Sequence, residues 1–206
     1  MPATDTAEVR RARQLTGDFM AGGPRSFDAF RDLAQLLLQA TVLEAGQVVR
    51  LSGRRGRRGD DVRVLAGRYG PTDPLRLRDG RWLRLASTLY LDRDANDLLK
   101  VQRSSFQYQA DRDGDRPIFR YDYLRVPGSI EPPAHLNLYG GLAVEDVLPA
   151  TRRLSRVHFP TSRVSIEAGI RLLADDFAVP TATDPSEWRP LLAATETAFR
   201  AIAHRP

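Results

Sequence analysis

Between residues 47 and 139 apolar side chains recur at every second position, while on either side they recur at every third or fourth. Period two belongs to strands with one buried face, and a spacing of three and four belongs to amphipathic helices. The order helix, strands, helices therefore sets an α+β class rather than alternating βαβ units. Turn residues at short intervals divide 47–139 into an antiparallel meander of about five or six strands. Helices at both termini are expected to pack on one face of this sheet. At 206 residues the chain is expected to form a single α+β domain over 1–206.

Residues 1–22 read as a flexible or short helical segment, broken by Ala21-Gly22-Gly23-Pro24. Ser26 is the expected cap of a helix over 26–42, with Phe27, Phe30, Ala34, Leu37, Leu38 and Thr41 along one side. Residues 48–51 and 62–65 read as strands joined by the loop 52–60. Leu83, Leu85, Leu89 and Leu91 share one strand face, with Trp82, Arg84 and Tyr90 on the other. Residues 98–109 and 118–126 pair about the hairpin loop 110–115, and 135–139 is a short strand after Pro132-Pro133. Two helices are expected over 165–204. Ser165 caps the first, whose apolar side is Ile166, Ile170, Leu173 and Phe177. Asp184-Pro185-Ser186-Glu187 opens the second, with Trp188, Leu191, Leu192, Phe199 and Ile202 buried and Thr195 the one polar residue on that line. Starting that helix at Ser186 would leave Pro190 in its first turn.

Zero Cys excludes disulfides, thiolate catalysis and thiolate zinc sites. Three histidines with no HExxH offer no metal shell, and the absence of GxGxxG and Walker loops argues against a nucleotide cofactor. No metal or cofactor is expected. Asp111, Asp113 and Asp115 lack the glycine position and the Glu of an EF-hand, and read as a polar turn. No apolar run reaches membrane length, and the N-terminus has no apolar core of a signal, so a cytoplasmic setting is expected. The net charge of +5 permits an anionic partner. Lys100 is the only lysine, and such arginine usage suits GC-rich coding as well as phosphate contact.

Strand parity gathers the candidate chemistry. Phe119, Tyr121 and Tyr123 point to one face, and Arg120 and Asp122 to the other, about 6–7 Å apart. His135 and Asn137 share a face in the same way. If the two strands are neighbours, Arg120, Asp122, His135 and Asn137 form one polar patch, which a structural ion-pair network would also explain. His158, ahead of the Ser165 helix, is the second histidine. Two imidazoles and a guanidinium suffice for metal-independent RNA cleavage: one accepts the 2′-hydroxyl proton, the other protonates the leaving oxygen, and arginine stabilises the phosphorane. Arg54, Arg55, Arg57 and Arg58 form the densest basic run, either a solvated hairpin tip or a phosphate grip. Tyr121 and Arg163 complete the candidate nucleic-acid contacts.

At these residues the chain resembles the TumE-type toxin family of bacterial toxin–antitoxin modules. Phe106-Gln107-Tyr108-Gln109 is similar to the family's aromatic run, 118–123 to its "iFRYDN"-like strand, and Pro133-Ala134-His135 to its histidine-bearing strand. The match covers about residues 79–140. Gln107 or Tyr108 stands where the family carries a histidine in its aromatic run, and Tyr123 where it carries Asn. The resemblance implies an RNA-cleaving toxin, with RNA as substrate and a helix-turn-helix antitoxin as partner. The alternative is a non-catalytic interaction module of a mobile-element or defence operon.

Overall fold

The computed structural model describes residues 6–55, 61–125, 133–139 and 159–203, and of residues 54, 55, 61, 159, 160 and 198–203 the backbone. Helix α1 (Ala7–Met20) opens at Thr6, whose hydroxyl accepts the Val9 N–H that the first turn leaves unpaired. It is a full helix rather than the short or flexible segment expected. Helix α2 (Arg25–Gln39) packs against it, with the Phe19 and Phe30 rings 5.3 Å apart. Pro24, not Ser26, takes the cap position, and the Ser26 hydroxyl donates to Gly23 O at 2.6 Å. The helix ends at Gln39, short of residue 42. Thr41 turns inward, its hydroxyl donating to Leu37 O at 2.6 Å.

All strand pairs are antiparallel, in the order β1 (Arg50–Arg55), β2 (Asp61–Ala66), β4 (Trp82–Asp92), β5 (Leu98–Gln109), β6 (Pro117–Leu124), β7 (Ala134–Leu138), β8 (Phe159–Pro160). The two-residue β3 (Leu75–Arg76) shares one edge of β4 with β2. The six expected strands are present; β3 and β8 are added, each too short to display a period. Arg54 and Arg55 belong to β1, opposite Val62 and Asp61, not to the loop.

The helix-facing side of the sheet carries the core: Leu83, Leu85 and Leu89 of β4, then Leu99, Val101, Phe106 and Tyr108 of β5. Val101 and Phe106 could not share a face under strict alternation. Gln102 is the extra residue between Val101, opposite Leu89, and Arg103, opposite Thr88, and this bulge restores the phase. Phe177 closes the core, its ring 5.2 Å from both Tyr108 and Phe119.

Helix α3 (Ile166–Arg171) is capped by Ser165, whose hydroxyl accepts the Ala168 N–H, and runs into a π turn over Leu172–Asp176. Gly169 lies against the Phe106 ring, so close that a Cβ would stand 2.7 Å from its Cζ. Helix α4 (Pro185–Ala203) starts at the proline after the Asp184 cap, as the Asp184-Pro185-Ser186-Glu187 signature expects, so Pro190 lies inside the helix and not in the first turn that a Ser186 start would give it. Trp188, Leu191, Leu192 and Thr195 are buried as expected; the side chains of Phe199 and Ile202 lie outside the described residues. The α1–α2 corner rests on the β4–β5 turn. Gly23 N–H donates to Asp97 O at 2.8 Å, and Gly22 (φ +77) leaves no room for a Cβ beside that same oxygen. Among the described residues no helix is long and apolar enough to cross a membrane.

Candidate functional site

Strand β6 alternates as its sequence requires. Phe119, Tyr121 and Tyr123 join the core, while Arg120 and Asp122 turn to the face away from the helices. On β7, Leu136 and Leu138 face the core, so His135 and Asn137 join Arg120 and Asp122. The ladder sets Arg120 opposite Asn137 and Asp122 opposite His135. These four residues are brought together.

Their common point is one carboxylate oxygen. Asp122 Oδ2 accepts from Arg120 Nε at 2.6 Å and from Asn137 Nδ2 at 3.2 Å. His135 Nε2 lies 3.8 Å from the same atom, beyond hydrogen-bond range, close enough for the carboxylate to stabilise an imidazolium once the ring has taken up a proton. Exposure falls from the Arg120 side chain (37%) through Asp122 (16%) to His135 (7%). The guanidinium is at the surface and the imidazole beneath it.

The polar face continues toward β4. Arg84, Gln107, Arg120 and Asn137 form one row across four strands. Gln107 donates to Gln109, and Gln109 donates to the carbonyls of Asp111 and Arg112, so loop 110–116 folds back over this end. Burial would raise the Asp111 carboxyl, but the N–H groups of Asp115, Gly114 and Arg116 hold it below the usual range. The three aspartates of this loop thus serve a polar turn. Lys100 pairs with Asp92 at 2.6 Å.

On the core side of the same strands lies a cavity walled by Phe19, Phe30, Leu33, Leu85, Phe106 and Tyr121. It offers ≈ 60 Å³ to the centres of water-sized molecules, and one water needs only about 10–15 Å³. Thr161, Arg163 and Glu167 are among the polar residues that line it. Burial pushes the Arg163 guanidinium below its ordinary pKa, and its cation sits 4.7 Å over the Tyr123 ring. The Glu167 carboxylate is buried and accepts from the Thr195 hydroxyl at 2.7 Å. The Thr161 hydroxyl is buried without a hydrogen-bond partner among the described residues.

Of the remaining expected contacts, the two that are described, Tyr121 and Arg163, do not join Arg120. Tyr121 packs edge-on against Phe119 on the core side, because neighbours of Arg120 and Asp122 along a strand must point the other way. Arg163 reaches Tyr123 on that same side. His158, Arg57, Arg58 and the side chains of Arg54 and Arg55 lie outside the described residues. The sequence reading missed the Glu167–Thr195 pair. The signal was Thr195 itself, a hydroxyl on an otherwise apolar line that needed a buried partner. It also missed Gln107 and Arg84 as extensions of the Arg120 row.

Comparison with family models, with curated proteins and with solved structures found no match. The functional reading therefore rests on the geometry above and on the motif resemblance of residues 79–140.

Proposed function

We propose that the sheet face around Arg120 binds RNA and cleaves it without a metal. The observation that carries this reading is the convergence of Arg120, Asn137 and His135 on Asp122 Oδ2, on the sheet face opposite the helices. A surface guanidinium above a carboxylate-oriented imidazole is the order in which a phosphodiester would meet them. Arg120 holds the non-bridging oxygens, and Asp122 orients both Arg120 and His135. His135 takes the proton from the 2′-hydroxyl, whose oxygen attacks phosphorus. The P–O5′ bond breaks, and the second acid, His158, protonates the departing 5′-oxygen, leaving a 2′,3′-cyclic phosphate. The TumE-type resemblance supplies the setting: a cytoplasmic toxin held inactive by a helix-turn-helix antitoxin.

The test is incubation of end-labelled single-stranded RNA with purified protein in EDTA. Cleavage to cyclic-phosphate ends is expected, with loss in His135→Ala and His158→Ala variants whose circular dichroism is native. Undiminished cleavage by folded His135→Ala would overturn the site. A second reading, a non-catalytic interaction module, is favoured by the near-complete burial of His135 and Asn137. Absence of cleavage by the native protein would select it.

A further inference from the structure

A second aromatic and basic recess lies beyond the Trp82 end of the Arg120 row. Tyr69 is the most exposed large apolar side chain among the described residues, at 76%. It stands at the rim of a recess of about 260 Å³ that Arg68, Asp73, Trp82 and Arg112 also line. The Arg68 guanidinium lies 5.4 Å from the Tyr69 ring centre, and those of Arg76 and Arg112 lie 5.5 and 5.7 Å from that of Trp82.

The loop that presents Tyr69 is built, not loose. Asp73 Oδ2 accepts the Tyr69 N–H at 3.0 Å, while Oδ1 faces Arg112 at 3.7 Å. Gly67 is required there, since a Cβ would stand 2.2 Å from Asp73 O. One carboxylate therefore anchors the backbone that bears the exposed ring and faces the neighbouring cation. An open aromatic ring beside guanidinium groups, in a recess large enough for a purine, has the chemistry of a nucleobase slot with a phosphate beside it.

We infer that this recess stacks a base of single-stranded RNA against Tyr69, with Arg68 and Arg112 on the adjoining phosphates. The inference deepens the proposed function and rests on it for the identity of the strand. The spacing suits one strand. Trp82 lies four residues along β4 from the row of Asp122, which is two strands across, a separation of about 16 Å from ordinary strand rise and spacing. An extended strand covers that in a few nucleotides. A strand seated at Arg120 would thus place a flanking base at Tyr69.

The experiment measures binding of a fluorescent single-stranded oligoribonucleotide, and of the same strand with abasic sites, in EDTA at fixed salt. All measurements use His135→Ala protein so that the strand stays whole. Tyr69→Ala, an exposed and structurally silent change, is expected to weaken binding of the normal strand about ten-fold. It should leave the abasic strand unchanged. Arg120→Gln should weaken both strands. Equal affinities for Tyr69→Ala and its parent overturn the slot while leaving the Arg120 face standing. Loss with Tyr69→Ala but not with Arg120→Gln keeps the slot and removes the proposed site. A DNA strand of the same sequence that binds as well as RNA would overturn the assignment to RNA.

Discussion

Asp122 and His135 occupy directly opposed positions on β6 and β7, and one carboxylate oxygen of Asp122 serves His135, Arg120 and Asn137 together. Asp122→Asn keeps the shape and removes the charge that orients the other groups. If the face is the cleavage site, the RNA-cleavage rate of folded Asp122→Asn falls about 100-fold or more. Single-turnover rates at saturating protein measure this free of binding effects.

Two glycines on helices should respond in opposite directions to alanine. Gly169→Ala drives a Cβ into the Phe106 ring and is expected to destabilise by about 1–3 kcal/mol. Gly17→Ala, with nothing within 4 Å, is expected to stabilise α1 by about 0.5–1 kcal/mol. Urea midpoints of the two variants test both signs, and a Gly169→Ala protein as stable as the parent would contradict the packing of α3 on β5.

Removing the hydroxyl of Thr195 deprives the buried Glu167 carboxylate of its donor. Thr195→Val is expected to lower stability by about 1–3 kcal/mol, while Thr195→Ser, which keeps the hydroxyl, loses less. Equal losses would assign the effect to packing instead.

Alkaline stability should report on Tyr108. Burial, with its hydroxyl donating to Asp79 Oδ2 at 2.7 Å, pushes the phenol up to about 12 from 10.0. The folded protein therefore holds this proton where the unfolded chain releases it. The resulting stability is complete below pH 10 and is lost as pH rises through about 12. Tyr108→Phe should flatten the fall in denaturant midpoint across that window. An unchanged slope would show that the phenol does not carry it.

The parity of β6 was legible because Phe119-Arg120-Tyr121-Asp122 alternates without a break, and proline-bounded 135–139 could pair in one phase only if its apolar residues were to face the core. The same reasoning could not locate the bulge at Gln102, since an inserted residue looks like ordinary sequence until its partner strand is known. The position of Pro190 in the last helix was harder to read, because Asp184 and Ser186 both offer a start and only the folded chain shows that Asp184 is used. The recess at Trp82 was invisible for a different reason: it joins residues 46–48, 68–75, 82 and 112, which no local pattern connects. Glu167 went unnoticed because the first-turn position that suits an exposed acid also suits a buried one.

The seat of the helical hairpin on Asp97 sets an order of events during synthesis. Residues 7–39 can coil as soon as they leave the ribosome, but the carbonyl that receives Gly23, that of Asp97, is not made until almost sixty further residues have been added. Until then the corner between the two helices has no β4–β5 turn to rest on. The amino-terminal fifth of the chain must wait for its own middle, and that interval is when the nascent protein is most open to capture by a chaperone.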